Sequence, residues 1–135
     1  MTLVVDASAL VLATTEATRD ASALRTRLAR DVCHAPHLID AEVGNVLRRK
    51  ALRGELHPDL GATVLRHAPA LIDHRHDHRG VLAEAAWSLR DNLTFYDALY
   101  VALASALSAT LVTADARLAA SLGRPRLVEV VPPSR

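Results

Sequence analysis

The sequence predicts an α/β fold: a central parallel sheet of about four or five strands, flanked by helices in a three-layer α/β/α arrangement. Three observations carry this. Short apolar, β-branched runs alternate with segments of helical period, the pattern of strands joined by helical crossovers. Half of the 135 residues are apolar, enough for one packed core and a single domain over 1–135. Residues 95–107 (FYDALYVALASAL) are apolar nearly all round, which suits a helix that is central or at an interface.

The elements follow in order. TLVV (2–5) is a buried strand, followed by a short helix over roughly 8–14. Residues 20–30 set Ala and Leu against Arg at helical spacing, a helix with one wet face. VCHAP is a second strand ended by Pro36. A helix over about 38–53 comes next, with Gly54 as its C′ residue. Pro58 suits the first turn of a helix over about 58–67. LIDHRH (71–76) reads as a third strand, and 78–91 as a helix with Ala85, Ala86 and Leu89 facing inward. After the apolar helix, ATLVT (109–113) is a fourth strand, 116–123 a helix closed by Gly123, and RLVEVV (126–131) a last strand before a frayed PPSR.

The charges nearly cancel: 16 Lys and Arg against 15 Asp and Glu, formal net charge +1. This excludes a strongly basic nucleic-acid coat and an acidic disordered tail. Fifteen of the cations are Arg and one is Lys50. The lone Cys33 forms no intramolecular disulfide and no cysteine zinc site, and is expected as a small buried apolar residue. No basic leader precedes the first apolar run and no stretch is long enough to span a bilayer, so a cytoplasmic protein is expected.

The chemistry lies in four acids. Asp6 directly follows the first strand, Glu42 lies in the first turns of the helix after the second, Asp97 opens the apolar helix, and Asp115 follows the fourth strand. In an open α/β sheet the carboxyl ends of the strands form the site, so the fold can bring all four into one cleft. Helix capping is the alternative for Asp6, Asp97 and Asp115 taken singly. Glu42 lies within an apolar helical face near Ile39, Val43 and Val46, where a carboxylate needs a partner or a cation. Asn45, three residues on, is placed to hold it. Carboxylates gathered in one cleft repel and rise in pKa unless a cation neutralises them. Oxygen-only ligands select a hard ion, Mg²⁺ or Mn²⁺. Such an ion supports phosphodiester cleavage by water, and Thr113 and Ser8 could add hydroxyl contacts to water or phosphate.

Asp6-Ala-Ser8-Ala-Leu10 after an apolar strand resembles the opening motif of PIN domains. Pro36 followed by Glu42-Val-Gly-Asn45-Val-Leu-Arg48 resembles their second motif, Thr94-Phe-Tyr-Asp97-Ala-Leu-Tyr-Val-Ala-Leu-Ala104 their third, and Leu111-Val-Thr113-Ala-Asp115-Ala-Arg117-Leu118 their fourth. Order, spacing and length resemble the VapC group, the toxin half of bacterial toxin–antitoxin pairs, over residues 3 to about 130. The resemblance implies a PIN-like fold and a Mg²⁺-dependent endoribonuclease cutting single-stranded or loop RNA. It implies a cognate VapB-like antitoxin that masks the site, and a homodimer or toxin–antitoxin hetero-oligomer, for which helix 95–107 would offer an interface. It also implies that Asp6, Glu42, Asp97 and Asp115 are the catalytic and metal-binding acids, with Thr113 a secondary polar contact.

RNA binding needs cations beside the acids. Arg48, Arg49, Lys50 and Arg53 lie on the exposed part of the Glu42 helix, where a solvated face is the competing reading. The four acids carry −4 of a chain whose net charge is +1, leaving +5 for the rest. The aromatics number only four, Trp87, Phe95, Tyr96 and Tyr100. Phe95 and Tyr96 are the ones beside the site, so stacking is not the main binding mode. Trp87 is expected to be packed or at an interface. His74, His76 and His78 alternate. On a strand they would share one face as a transition-metal cluster; otherwise they are exposed residues running into a loop.

Three rival readings are weaker. A receiver domain needs paired acids after the first strand and a lysine near the last. A dehalogenase-like phosphatase needs an acid where Ser8 stands. A catalytically silent PIN-fold binding module predicts missing acids, and none is missing.

Overall fold

The structure, a computed structural model, describes residues 1–122 and 128–131. Five strands form one sheet: β1 (Thr2–Val5), β2 (Val32–Pro36), β3 (His74–His76), β4 (Thr110–Thr113) and β5 (Val128–Val130). Their order is β3-β2-β1-β4-β5, and every pairing is parallel. The chain therefore builds outward from β1 in both directions. Leu3, Val4 and Val5 are wholly buried, as a strand covered on both faces requires.

The helices are α1 (Ala7–Thr15), α2 (Arg19–Arg30), α3 (Leu38–Leu52), α4 (Pro58–His67), α5 (Val81–Trp87), α6 (Phe95–Leu107) and α7 (Ala116–Leu122), with a 3₁₀ turn at Ala68–Leu71. Helix α6 lies across β1, β2 and β4, with α5 packed on it, while α1 contacts β4 and gathers α2, α3 and α4. Tyr100, Leu103 and Ala104 of α6 join the main core. Ala98, Leu99 and Ala102 pack with Ala86 of α5 in a second cluster. The all-round apolar sequence of α6 is thus explained by its central position. Most of its apolar surface is covered within the chain, while Phe95 and Tyr96 at its start stay exposed. Among the described residues no helix is long and apolar enough to cross a membrane.

Two expected elements change in extent. The strand expected at 71–76 covers His74–His76 alone, because Pro69 helps set a 3₁₀ turn over Ala68–Leu71 before it. The helix expected at 78–91 is only Val81–Trp87. Its start is delayed because Asp77 accepts from the Arg79 amide at 2.9 Å and Gly80 takes φ +74°, outside helical space. Of its three expected inward residues, Ala86 is buried, Leu89 half-buried and Ala85 exposed. Trp87 is 61% exposed with Arg90 over its ring, so it is not packed in the core. The expectations for Gly123, for Arg126 and Leu127 of the last strand, and for 132–135 fall outside the described residues.

Gly54 behaves as expected. The Gly54 amide donates to Ala51 and the Glu55 amide to Lys50, both closing α3, and Gly54 sits at φ +74°. A Cβ there would meet nothing within 4 Å. Gly54→Ala should therefore cost about 1 kcal/mol through left-handed backbone alone. Urea unfolding checks this, and a variant as stable as the wild type would remove the assignment.

Candidate active site

Strand β1 ends at the middle of the sheet, between β2 and β4, and Asp6 is the first residue beyond it. The position is fixed by backbone: the Asp6 amide donates to the Val112 carbonyl of β4 at 3.1 Å. Its carboxylate then caps α1, with Oδ1 accepting from the Ala9 amide at 2.9 Å and from the Ser8 hydroxyl at 2.7 Å. The Thr113 hydroxyl, at the end of β4, donates to Oδ2. Capping and site membership are thus compatible for Asp6: the cap holds one oxygen and leaves the group at the sheet edge.

Ser8 and Thr113 form a small relay behind this carboxylate. The Ala114 amide donates to Ser8 Oγ at 2.9 Å and the Asp115 amide to Thr113 Oγ1 at 3.0 Å. Both hydroxyls therefore hold Asp6 and the β4–α7 turn. The same turn places Asp115, which caps α7 by accepting from the Arg117 amide at 2.9 Å. Asp97 lies in the first turn of α6, whose N-terminus reaches the carboxyl edge because the helix runs back toward β4. Thr94 caps this helix, accepting from the Asp97 amide at 3.2 Å.

Glu42 enters from α3, the helix that follows β2. It is half-buried, and the buried Tyr100 of α6 donates its hydroxyl to Glu42 Oε1 at 2.6 Å. Asn45, expected to steady this carboxylate, is exposed instead, one turn along on the wet side of α3. Tyr100 was missed by sequence reasoning. Its signal was a polar tip inside an otherwise aliphatic helix, since a buried phenol needs a partner.

The electrostatics tie the four acids into one field. Asp6 is pushed up to about 6, first by burial, with the Glu42 charge adding to it and the Thr113, Ala9 and Ser8 hydrogen bonds opposing. Burial raises Glu42 as well, Tyr100 opposes, and the Asp97 charge adds. Burial raises Asp97, the Thr94 hydroxyl opposes, and the Asp115 charge adds. The coupling runs Asp6–Glu42–Asp97–Asp115. Burial and the neighbouring carboxylates push the Tyr100 phenol far above its ordinary range, so it remains a donor.

Cations border this field. Arg49 lowers Glu42, and Arg117 lowers Asp97 and stands 3.6 Å from Asp115. Arg117 is a second residue sequence reasoning gave no role. Arg48 and Arg49 are exposed, as expected.

Among the described residues no group of three or more acidic, histidine or cysteine residues is arranged to hold a metal ion. A looser all-oxygen site fits Mg²⁺ well, because that ion keeps several waters and takes one or two direct carboxylates. The raised acids fit it too, since a divalent cation offsets both the burial and the neighbouring charge that raise Asp6, Glu42 and Asp97.

The sequence and the fold both have known relatives. The family model described as PIN domain matches residues 3–121. Ribonuclease VapC1 of Mycobacterium tuberculosis is 48% identical over 128 residues, 95% of this chain and 96% of that protein. Among solved structures, Mycobacterium tuberculosis VapC20, described as a Sarcin-Ricin loop cleaving toxin, superposes with a TM-score of 0.67 at 18% identity. The match covers 96% of this chain and 99% of that one. VapBC2 of Rickettsia felis, bound to a DNA fragment from its promoter, gives a TM-score of 0.70 at 16% identity over 96% of this chain and 98% of its own.

Proposed function

Since the chain belongs to the PIN-domain family and within it to the VapC ribonucleases, we propose that it is a Mg²⁺-dependent endoribonuclease toxin cutting single-stranded or loop RNA. The observation that carries this is the carboxylate line Asp6–Glu42–Asp97–Asp115 at the carboxyl edge of β1 and β4, in which Asp6, Glu42 and Asp97 are raised by burial and by a neighbouring carboxylate. Mg²⁺, or Mn²⁺ in its place, would be held by these acids and their waters. When bound, the ion supplies charge neutralisation at phosphate and a more acidic water.

The chain's own residues do the rest. Thr113 and Ser8 fix both oxygens of Asp6. Tyr100 fixes Glu42. Arg49 and Arg117 at the rim, with Arg48 beside them, attract the RNA backbone. Phe95 and Tyr96, 41% and 59% exposed next to Asp97, offer faces for an unpaired base.

A VapB-like antitoxin that masks the acids belongs to the same proposal, supported by the VapC relatives and the Rickettsia felis VapBC2 structure. So does assembly as a homodimer or as a toxin–antitoxin hetero-oligomer in the cytoplasm. Co-expression with the antitoxin gene paired with this one should restore growth that the chain alone arrests.

The direct test is cleavage of a panel of structured RNAs by the purified chain. Cutting is expected with Mg²⁺ or Mn²⁺ and none with EDTA. Undiminished cutting in EDTA would refute the metal-dependent reading. A second readout is thermal. Mg²⁺ binds the ionised acids, so it should raise the melting temperature more at pH 8 than at pH 5, where Asp6 is protonated. An equal rise at both pH values would place the ion elsewhere.

A further inference from the structure

The edge of the sheet far from β4 carries a second concentration of chemistry. Strand β3 has only three residues and pairs with β2 alone. His34 of β2 stands in register with His74 of β3, and His76 lies two residues on. In-register parallel partners and i, i+2 neighbours share a face, so three imidazoles line one side of this edge. The His34 ring lies 4.7 Å from that of His74 and 5.1 Å from that of His76, centroid to centroid. His34 Nδ1 and His76 Nε2 are joined by a 2.8 Å hydrogen bond. The rings meet one another and do not converge on a common point, so the alternating histidines are not a transition-metal cluster.

A bond between two imidazole nitrogens needs a hydrogen on one and a lone pair on the other. Two neutral rings supply this, and so does a pair carrying one extra proton. Two charged rings cannot, because each nitrogen then carries a hydrogen and like charges meet at bonding distance. We propose that the His34–His76 pair is an acid-released latch, which fastens edge strand β3 to β2 until both rings are protonated.

What the latch holds is the start of α3. The amide of His37, the residue that caps this helix, donates to the His76 carbonyl at 2.9 Å. On the opposite side of β3, Arg75 grips Asp40 at 2.7 and 2.9 Å, two residues before Glu42. Asp73 ties the entry of β3 to β2: its amide donates to the Cys33 carbonyl at 2.8 Å, and its carboxylate accepts from the Cys33 amide at 2.8 Å. Releasing β3 therefore loosens the first turn of the helix that carries Glu42.

The charges around the pair set the direction of the switch. Burial, then His76 and His74, hold His34 below the ordinary value of 6.5, and Asp73 opposes. Burial, His74 and His37 hold His76 below it. After β3, Asp77 pairs with Arg79 and the His78 ring meets that of His37. Of the elements packed against β2, β1 has no ionisable side chain. Arg27 and Arg30 of α2 pair with Asp31, and Asp40 of α3 pairs with Arg75. Tyr100 and Asp97 of α6 act on Glu42. Imidazoles held low contribute stability that is complete above pH 6.5 and is lost as pH falls below it. Asp6 acts with the opposite sign between about pH 4 and 6, so a melting temperature would mix the two and a local readout is needed.

The test is amide hydrogen exchange of the full chain, followed by NMR and referred at each pH to the rate of an unstructured chain. Between about pH 7.5 and about pH 5, protection at the His37 and Asp73 amides should fall about tenfold or more, while the β1–β4 ladder keeps its protection. Combining His34→Gln with His76→Gln puts two uncharged amides in place of the rings, and the fall should disappear. The ring-proton shifts of the wild type give a second measurement that needs no variant. Both rings should titrate below pH 6.5, the lower midpoint coinciding with the loss of protection. Protection constant with pH, a fall that spreads through the β1–β4 ladder, a fall that persists in the double variant, or rings that titrate at the ordinary value overturns the proposal. RNA cleavage is not among the readouts, so this result stands apart from that of the ribonuclease test.

Discussion

Asp6→Asn is expected to lower RNA cleavage by at least about a hundredfold while the protein stays folded. Asparagine keeps the oxygen that accepts from the Ala9 amide and the Ser8 hydroxyl, and it remains a good cap for α1. It loses the negative charge that a cation needs, and it turns an amide toward the Thr113 hydroxyl. The stability of the same variant carries a signed prediction. The folded-state pKa of Asp6 is raised from 3.8 to about 6. Such a group costs the native state nothing below about pH 4, where it is neutral both folded and unfolded. The cost grows as pH rises through about 4 to 6 and is constant above, on the order of 3 kcal/mol for a shift of this size. An asparagine side chain does not ionise, so the variant escapes this cost. The melting temperature of the variant relative to the metal-free wild type should therefore climb between about pH 4 and pH 7. A difference that is flat with pH would show that Asp6 is not held as an unwilling anion.

Tyr100→Phe is the second large effect. The substitution keeps the ring that joins the main core and deletes only the hydroxyl bonded to Glu42. A hydrogen bond to a charged group contributes about 1.5–3 kcal/mol, so a drop of several degrees in melting temperature is expected. The functional effect follows from the sign of the interaction. The phenol favours ionised Glu42, opposing burial and Asp97. Without it Glu42 rises further, and the acid limb of the pH–rate profile moves to higher pH. At neutral pH cleavage should fall about tenfold and recover in part with more Mg²⁺ or higher pH. A variant that loses stability but keeps the wild-type pH profile and Mg²⁺ dependence would reduce Tyr100 to a packing residue. Tyr100 is a positioning residue in this account, acting only through Glu42.

These two residues also mark what could be read from the chain beforehand. Asp6, Asp97 and Asp115 were legible because their places depend on topology: each stands at a strand end or a helix start, and a parallel sheet brings such points together. Glu42 was legible as a carboxylate in an apolar stripe. Its partner was not, because periodicity along one helix finds neighbours such as Asn45 and says nothing of a ring arriving from another helix. Thr113 and Ser8 were found, but which atom they bind depends on side-chain rotation, and they turned inward to Asp6. The short α5 has a similar cause. Its composition suits a longer helix, yet Asp77, Arg79 and Gly80 form a local turn that outcompetes the first helical turn. The histidine edge was half visible: His74 and His76 alternate in sequence, while His34 joins them only through strand register.

The bond between Thr113 and Asp6 spans 107 positions. Asp6 leaves the ribosome long before the hydroxyl that orients it and the strand that receives its amide. Closing so long a loop is among the slower, more entropically costly steps in folding. A truncated product ending before β4 lacks both the Val112 carbonyl that receives the Asp6 amide and the Thr113 hydroxyl that holds its Oδ2. On the ribonuclease reading, the order in which the strands are translated delays the full orientation of Asp6 until β4 has been made.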